Sequence, residues 1–233
     1  AVADAFNVKG TWAEAFGSDA EEYFMAWYYA TAVEKIASTG KKAYNIPMYV
    51  NAWLQQYPDC AGEYPSGGPI AKMMKLWRIA AKSICMYAPD IYVSDFEKVV
   101  AEYSDGQNPL FIPETVSHVS SAASVFLAVC EYSAIGFHPF GIEDIFGKGR
   151  KLSEAELAEL NINPAAFCDE GTSVYLPASY QLLNSMMHLL IDARGTKHLR
   201  GFYHGGFDNG KIFEFEEYDI HIRLQKMFPN KII

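Results

Sequence analysis

Short apolar segments alternate with helical patterns four times in succession along this chain, and this order constrains the fold more than any other feature. The segments predicted as strands are residues 47–53, 90–93, 110–114 and 135–137. One helical pattern precedes the first strand, at residues 19–39, and one follows each of the first three strands, at residues 70–87, 95–103 and 118–132. Alternating strands and helices predict an α/β fold, a parallel sheet with helical crossovers. A (β/α)8 TIM barrel repeats this unit eight times, so four strands predict half a barrel.

The pattern changes after the last predicted helix, residues 175–193. The segments 199–204 and 211–224 are typical of hairpin strands, with glycine-rich turns between them. We therefore divide the chain into an α/β unit, residues 1–195, and a β-rich segment, residues 196–233. The second segment is predicted to lead to, or belong to, an accessory β domain.

The composition fits a protein with a large core and argues against several classes of function. Half of the residues are apolar and 15% are aromatic, so the chain is not predicted to be disordered. The formal net charge is -9 and no cluster of Lys or Arg occurs, which argues against a nucleic-acid partner. No apolar run approaches the roughly 18–20 residues of a membrane helix. The Cys and His residues are scattered without CxxC or HExxH spacing, so no metal site is expected.

Polar and aromatic side chains follow the predicted strands where each of them ends. Glu114 closes the third strand, and Asn51, Tyr92 and His138 lie near the ends of the other three. The carboxyl ends of parallel strands meet at one edge of a sheet, where β/α barrels carry their active sites. Taken singly, each residue is more often structural, and Glu114 is compatible with an exposed turn. Their joint placement favours a shared site with Glu114 at its centre.

Further candidates are aromatic or lie in a long loop. Trp53 follows Asn51 by two residues and offers a platform for a flat ring, although a core position explains it equally well. The loop of residues 55–69 is long and rich in Gly and Pro, which is typical of a shaped functional loop. Within it, Glu63 and Tyr64 are candidates for lining a subsite. The loop lacks the spacing of a phosphate-binding loop.

Five stretches of the chain together resemble the second half of a β-galactosidase-type glycoside hydrolase. They are Asn51-Ala-Trp-Leu, Glu63-Tyr-Pro-Ser-Gly-Gly-Pro69, Ala88-Pro-Asp-Ile-Tyr92, Asn108-Pro-Leu-Phe-Ile-Pro-Glu-Thr115 and Gly136-Phe-His-Pro-Phe-Gly-Ile142. The chain is similar to glycoside hydrolase families 35 and 42, which belong to a clan of retaining enzymes with a (β/α)8 barrel. The resemblance runs in order from about residue 12 to 200. Pro-Leu-Phe-Ile-Pro-Glu-Thr is its most specific part.

The resemblance implies roles for individual residues. Glu114 matches the nucleophile at the end of the seventh strand, and Tyr92 matches the tyrosine that orients it. Asn51 and Trp53 fall at the fifth strand, so the chain is expected to hold strands five to eight. The family carries its general acid/base in an Asn-Glu pair after the fourth strand, and this sequence contains no Asn-Glu pair. The implied activity is cleavage of terminal β-linked galactose by double displacement, without a cofactor or metal.

The resemblance also implies partners. We expect an oligosaccharide or glycoside as substrate, and the missing N-terminal half-barrel as a partner, in the same polypeptide or in another chain. Pairing with a second copy is a further option, and the half-barrel alone is not expected to hydrolyse glycosides. The first residues given lack the basic and apolar regions of a signal peptide, which alone would favour the cytoplasm, whereas the resemblance favours a periplasmic or secreted location. The main alternative is a non-catalytic carbohydrate-binding or structural module that uses Trp53, Tyr64 and Trp77.

Overall fold

The helices and strands follow the alternation that the sequence predicts. The computed structural model describes residues 2–55, 58–146, 153–159, 171–203 and 210–222. The helices are α1 (Val2–Phe6), α2 (Trp12–Phe16), α3 (Ala20–Ala43), α4 (Met74–Ala80), α5 (Phe96–Tyr103), α6 (Ser121–Phe126), α7 (Glu154–Glu159), α8 (Thr172–Ser185) and α9 (Met187–Ala193). The strands are β1 (Tyr49–Trp53), β2 (Met86–Ile91), β3 (Phe111–Thr115), β4 (Gly136–Pro139), β5 (Lys211–Glu214) and β6 (Asp219–Ile222). Short 3-10 turns lie at Gly17–Asp19, Ala71–Met73 and Ile142–Asp144, and a π-helical segment lies at Leu127–Glu131.

Strands β1 to β4 form one sheet whose order equals the order along the chain. Each neighbouring pair in this sheet is parallel. Parallel neighbours need a crossover connection, and α4, α5 and α6 each lie between two successive strands. The fold is therefore α/β, as the sequence predicts. None of the helices in the described ranges is long and apolar enough to cross a membrane.

One face of the sheet is buried under the helices. Ala52, Tyr87, Ile91, Ile112 and Phe137 lie on this face, and each is at most 4% exposed. They form one hydrophobic cluster with apolar side chains from α3, α4, α5 and the π-helical segment. Burial of a large apolar side chain contributes about 1.5–3 kcal/mol. This layer is therefore the main source of stability for the sheet.

The opposite face of the sheet, termed the open face, carries partly exposed aromatic and polar side chains. Tyr49 is 45% exposed, and Asn51 and His138 are also exposed. The ring of Phe111 lies between those of Tyr49 and His138, with centroid distances of 4.9 and 5.2 Å. A Cβ atom on Gly136 would lie 2.6 Å from the Phe111 ring. The absence of a side chain at Gly136 therefore lets this aromatic contact form.

The boundary between α4 and β2 differs from the prediction. The helix predicted at 70–87 ends at Ala80, and β2 begins at Met86, four residues before the predicted strand at 90–93. The apolar run at 84–88 suits a helix or a strand equally well. Sheet contacts decide between them, because the backbone amide of Cys85 donates to the Met48 carbonyl oxygen at 2.8 Å.

Two predicted helices are interrupted. The helix predicted at 118–132 begins at Ser121 and continues as the π-helical segment from Leu127. The helix predicted at 175–193 begins at Thr172 and is divided into α8 and α9 at Met186. In both cases the apolar periodicity predicts the helix but carries no signal for the change in backbone hydrogen bonding.

The C-terminal hairpin lies in a different place from the prediction. Strands β5 and β6 pair antiparallel with each other, so the hairpin lies wholly within the segment predicted as one strand. Residues 199–203 do not form a strand. Instead, the Arg200 side chain binds both carboxylate oxygens of Glu131, at 2.6 and 3.0 Å. These contacts attach residues 199–203 to the α/β unit across the predicted boundary at residue 195, and most of the predicted turn lies outside the described residues.

Candidate functional site

The carboxyl ends of β1, β2 and β3 bring three side chains of the candidate site side by side. Strand register pairs Trp53 with Asp90, and Asp90 with Glu114. Paired residues of neighbouring strands point to the same side of a sheet, so these three side chains share the open face. Asp90 is only 7% exposed and is the most enclosed of the three.

Glu114 accepts a hydrogen bond from a tyrosine at the end of the neighbouring strand. The Tyr92 hydroxyl donates to Glu114 Oε1 at 2.6 Å. The Tyr92 ring also stacks on Trp53, with a centroid distance of 5.7 Å and an interplanar angle of 29°. Burial and the hydrogen bond to Glu114 raise the pKa of Tyr92 far above its usual value. Tyr92 therefore keeps its proton and remains a hydrogen-bond donor to Glu114 at neutral pH.

A β-bulge in β3 directs Glu114 to the open face. The register of β3 against β4 shifts by one residue between Ile112 and Thr115. Ile112 and Thr115 are fully buried on the helix-covered face, whereas Phe111 contacts open-face rings. In a regular strand, residues three apart point to opposite faces. The extra residue of the bulge is what allows Phe111 and Glu114 to share the open face.

Asp90 is a buried carboxyl group that the sequence reasoning missed. Asn51 Nδ2 donates to Asp90 Oδ1 at 2.9 Å. Burial and the negative charge of Glu114 raise the pKa of Asp90 to about 7, and the bond from Asn51 opposes this shift. The predicted strand at 90–93 placed Asp90 at a strand beginning. Its spacing of two residues from Tyr92 was the available signal, because that spacing puts both side chains on one face.

These residues together form what we term the edge cluster. It comprises Asn51, Trp53, Asp90, Tyr92 and Glu114. Two adjacent carboxyl groups are suited to acid–base or nucleophilic chemistry, and the stacked rings of Trp53 and Tyr92 offer an aromatic surface to a ligand. In the parts of the chain that the structure describes, no group of three or more His, Cys, Asp or Glu residues could hold a metal ion.

His138 lies at the same edge of the sheet. It precedes Pro139, which pairs with Thr115, so its register position is beside Glu114. His138 Nδ1 lies 2.9 Å from the carbonyl oxygen of Ile112, within the bulge. A carbonyl oxygen only accepts, so Nδ1 carries the hydrogen, and Nε2 is the acceptor in the neutral ring.

The two loop candidates are not brought to the edge cluster. Tyr64 is buried, and its hydroxyl donates to Glu22 of α3, whose carboxylate also pairs with Lys72 at 2.5 Å. Burial and the bond to Glu22 raise the pKa of Tyr64 well above its usual value. Glu63 is exposed, and its carboxylate accepts from the Cys60 amide at 2.7 Å. These contacts tie the loop to the helix layer and to itself.

A cavity of about 1160 Å³ opens beside the edge cluster. It is lined by residues that follow β2 and β3, with His118 and Ser120 among them, and by side chains of α5 and α6. Tyr92 lines this cavity and also binds Glu114. The Tyr92 side chain therefore lies between the cavity and the open face.

Comparison with known proteins gives no family assignment. No protein-family model matches the chain, and no curated protein matches it.

Proposed function

We propose that this chain is the C-terminal half of the (β/α)8 barrel of a retaining β-galactosidase-type glycoside hydrolase, with Glu114 as its nucleophile. The observation that carries the proposal is the position of Glu114 at the carboxyl end of a parallel strand, with a hydrogen bond from Tyr92. Active sites of β/α barrels lie at this end of the strands. The motif around Glu114 is also the most specific part of the sequence resemblance.

The arrangement of the sheet supports the half-barrel part of the proposal. The sequential parallel order of β1 to β4 is the order within a β/α barrel. Within the described sheet, β1 and β4 each pair with one neighbour, which leaves a strand edge on each side. Large apolar side chains are exposed on the flanking helices, such as Tyr28 of α3 (58%) and Ile191 of α9 (65%). Four further strands and their helices would cover these edges and surfaces.

The edge cluster suggests how the reaction would proceed. A retaining glycosidase needs two carboxyl groups about 5–5.5 Å apart. The Glu114 carboxylate would attack the anomeric carbon while an acid from the N-terminal half protonates the departing oxygen. The same acid would then activate a water molecule that releases the sugar from Glu114. Tyr92 would hold the carboxylate in position, and Trp53 would stack on the sugar ring.

The proposal is tested by trapping the covalent intermediate. A polypeptide with both barrel halves is incubated with a 2-deoxy-2-fluoro-β-galactoside and measured by intact-protein and peptide mass spectrometry. We expect one sugar on the peptide that carries Glu114 and no adduct in the Glu114→Gln variant. Glu159→Gln serves as the control, because Glu159 is an exposed residue of α7, and its adduct should equal that of the wild type. An adduct on another residue would contradict the assignment. Galactoside binding without any adduct, abolished by Trp53→Ala, would support the carbohydrate-binding module instead.

The role of Tyr92 is tested by Tyr92→Phe in the same polypeptide. A hydrogen bond to a charged group contributes about 1.5–3 kcal/mol, so kcat/KM for an aryl β-galactoside should fall by about 10- to 150-fold. Tyr132→Phe serves as the control, because Tyr132 bonds Glu97 outside the edge cluster. Equal activities of the two variants would exclude an orienting role for Tyr92.

A further inference from the structure

Asp90 is a buried carboxyl group for which the mechanism above has no use. Its register partner is Glu114, and Tyr92, which binds Glu114, directly follows the strand of Asp90. Two carboxyl groups in adjacent positions of a sheet cannot both ionise without strong repulsion. Repulsion between the two groups and the burial of Asp90 therefore favour a single negative charge on the pair below the pKa of Asp90, about 7.

The surroundings of Asp90 determine which member of the pair holds the proton. From β1 it meets the neutral amide of Asn51, and from β3 the charge of Glu114. From α5 it acts on Tyr103, whose pKa is raised by burial and by the charges of Glu102 and Asp90. Glu114 accepts a hydrogen bond from the Tyr92 hydroxyl and is less enclosed than Asp90. The proton of the pair therefore belongs on Asp90 and the charge on Glu114.

We propose that Asp90 is a positioning residue that holds a proton while Glu114 carries the negative charge, and that takes over this charge when Glu114 is consumed in the glycosyl-enzyme. The second half of this inference rests on the proposed glycosidase reaction. The first half, the shared charge, is independent of it.

The proton and charge balance over one turnover. In the first step a Glu114 oxygen forms a bond to the anomeric carbon, the bond to the departing oxygen breaks, and that oxygen takes a proton from the general acid. Glu114 is then a neutral ester; burial still raises the pKa of Asp90 but the charge of Glu114 no longer does, so Asp90 releases its proton to solvent at a lower pH than before. In the second step a water oxygen bonds to the anomeric carbon and loses a proton to the group that acted as the acid, the bond to Glu114 breaks so that Glu114 leaves as a carboxylate, and Asp90 regains a proton from solvent. The ionised Asp90 would stabilise the positive charge that develops on the sugar in this step.

The shared charge is tested in the chain as it is, by a pH titration of the side-chain carboxyl signals with ¹³C NMR. In the wild type, the Asp90 carboxyl should titrate with a midpoint of about 7, because burial and the charge of Glu114 raise its pKa. Glu114→Gln imitates the neutral ester and should lower this midpoint by at least about one pH unit. Glu159→Gln should leave it unchanged. A wild-type midpoint near 4, or an unchanged midpoint in a folded Glu114→Gln, would overturn the proposal.

The transfer of charge is tested with Asp90→Asn in a polypeptide that has both barrel halves. Asn keeps the acceptor for Asn51 and imitates protonated Asp90, but it cannot take up a negative charge. We expect kcat/KM, which reports the first step, to stay near the wild-type value, while kcat falls about tenfold or more and glycosyl-enzyme accumulates. An equal fall of both constants would indicate a structural role and refute the proposal. If the wild type forms no adduct, the glycosidase function fails, whereas the NMR result still decides the shared charge.

Discussion

Replacement of Asp90 by Asn should change how the stability of the protein depends on pH. The pKa of Asp90 is raised in the folded protein from its ordinary value of 3.8 to about 7, by burial and by the charge of Glu114. A group whose pKa is raised on folding stabilises the folded state fully below its unfolded pKa, and this contribution is lost as the pH rises through the folded pKa. The wild type should therefore lose free energy of unfolding between about pH 4 and pH 7, relative to Asp90→Asn.

The size of this effect follows from the two pKa values. One pKa unit corresponds to about 1.4 kcal/mol, so a rise from 3.8 to about 7 amounts to about 4 kcal/mol. Solvent at the open face screens part of this interaction and leaves about 2–3 kcal/mol. We expect the difference in free energy of unfolding between Asp90→Asn and the wild type to increase by this amount from pH 4 to pH 8.

The assay is urea denaturation of both proteins across this pH range, followed by tryptophan fluorescence. Asp95→Asn is the matched control, because Asp95 is an exposed carboxylate shortly after the same strand. Its pH profile of stability should follow that of the wild type. A difference between Asp90→Asn and the wild type that stays constant with pH would refute the reasoning, because Asp90 would then be ionised as easily in the folded state as in the unfolded one.

Two further predictions concern the packing that supports the edge cluster. Asn108→Ala should lower the free energy of unfolding by about 2–4 kcal/mol, because the buried Asn108 side chain bonds both the amide and the carbonyl of Tyr87 at 2.9 Å. A loss below 1 kcal/mol in urea denaturation would contradict this account. Gly136→Ala should lower the melting temperature and cost about 1–3 kcal/mol, because its Cβ would lie 2.6 Å from the Phe111 ring. Gly68→Ala, whose Cβ would meet nothing within 4 Å, should have little effect, and equal melting temperatures for the two variants would exclude a steric cause.

The elements with strong periodicity could be predicted from the sequence. The helix predicted at 19–39 corresponds to α3, which continues four residues further to Ala43, and the prediction at 95–103 matches α5 to within one residue. Apolar residues at helical spacing reflect burial of one face, which is a local property of the chain. The parallel sheet followed from the order of these elements alone.

The start of β2 and the place of Asp90 could not be predicted in this way. A short apolar run such as 84–88 has no periodicity that distinguishes a strand from a helix. The sheet contact of Cys85 with Met48, 37 positions earlier in the chain, decides the matter. Since Asp90 reaches the carboxyl end only when β2 starts early, its importance was hidden by this one boundary.

The loop candidates show a different limit. Gly and Pro predict a shaped loop at residues 55–69, but they do not indicate which contacts position its side chains. The buried Glu22 of α3 determines the position of Tyr64 through a hydrogen bond across 42 residues of sequence. The composition of the loop cannot predict a partner so distant in the sequence. The bulge in β3 is equally non-local, because it is defined only by the register with β4.

The bulge makes the direction of the Glu114 side chain tolerant of one change in strand length. Removal of one residue between Phe111 and Glu114 would leave the two side chains two positions apart, so a regular strand would still direct both to the open face. The register of β3 with β4 would then be regular, and no charge would enter the apolar layer. Removal of a second residue would turn the carboxylate toward that layer, at a cost of several kcal/mol, so natural variants of this strand should tolerate the first deletion and not the second.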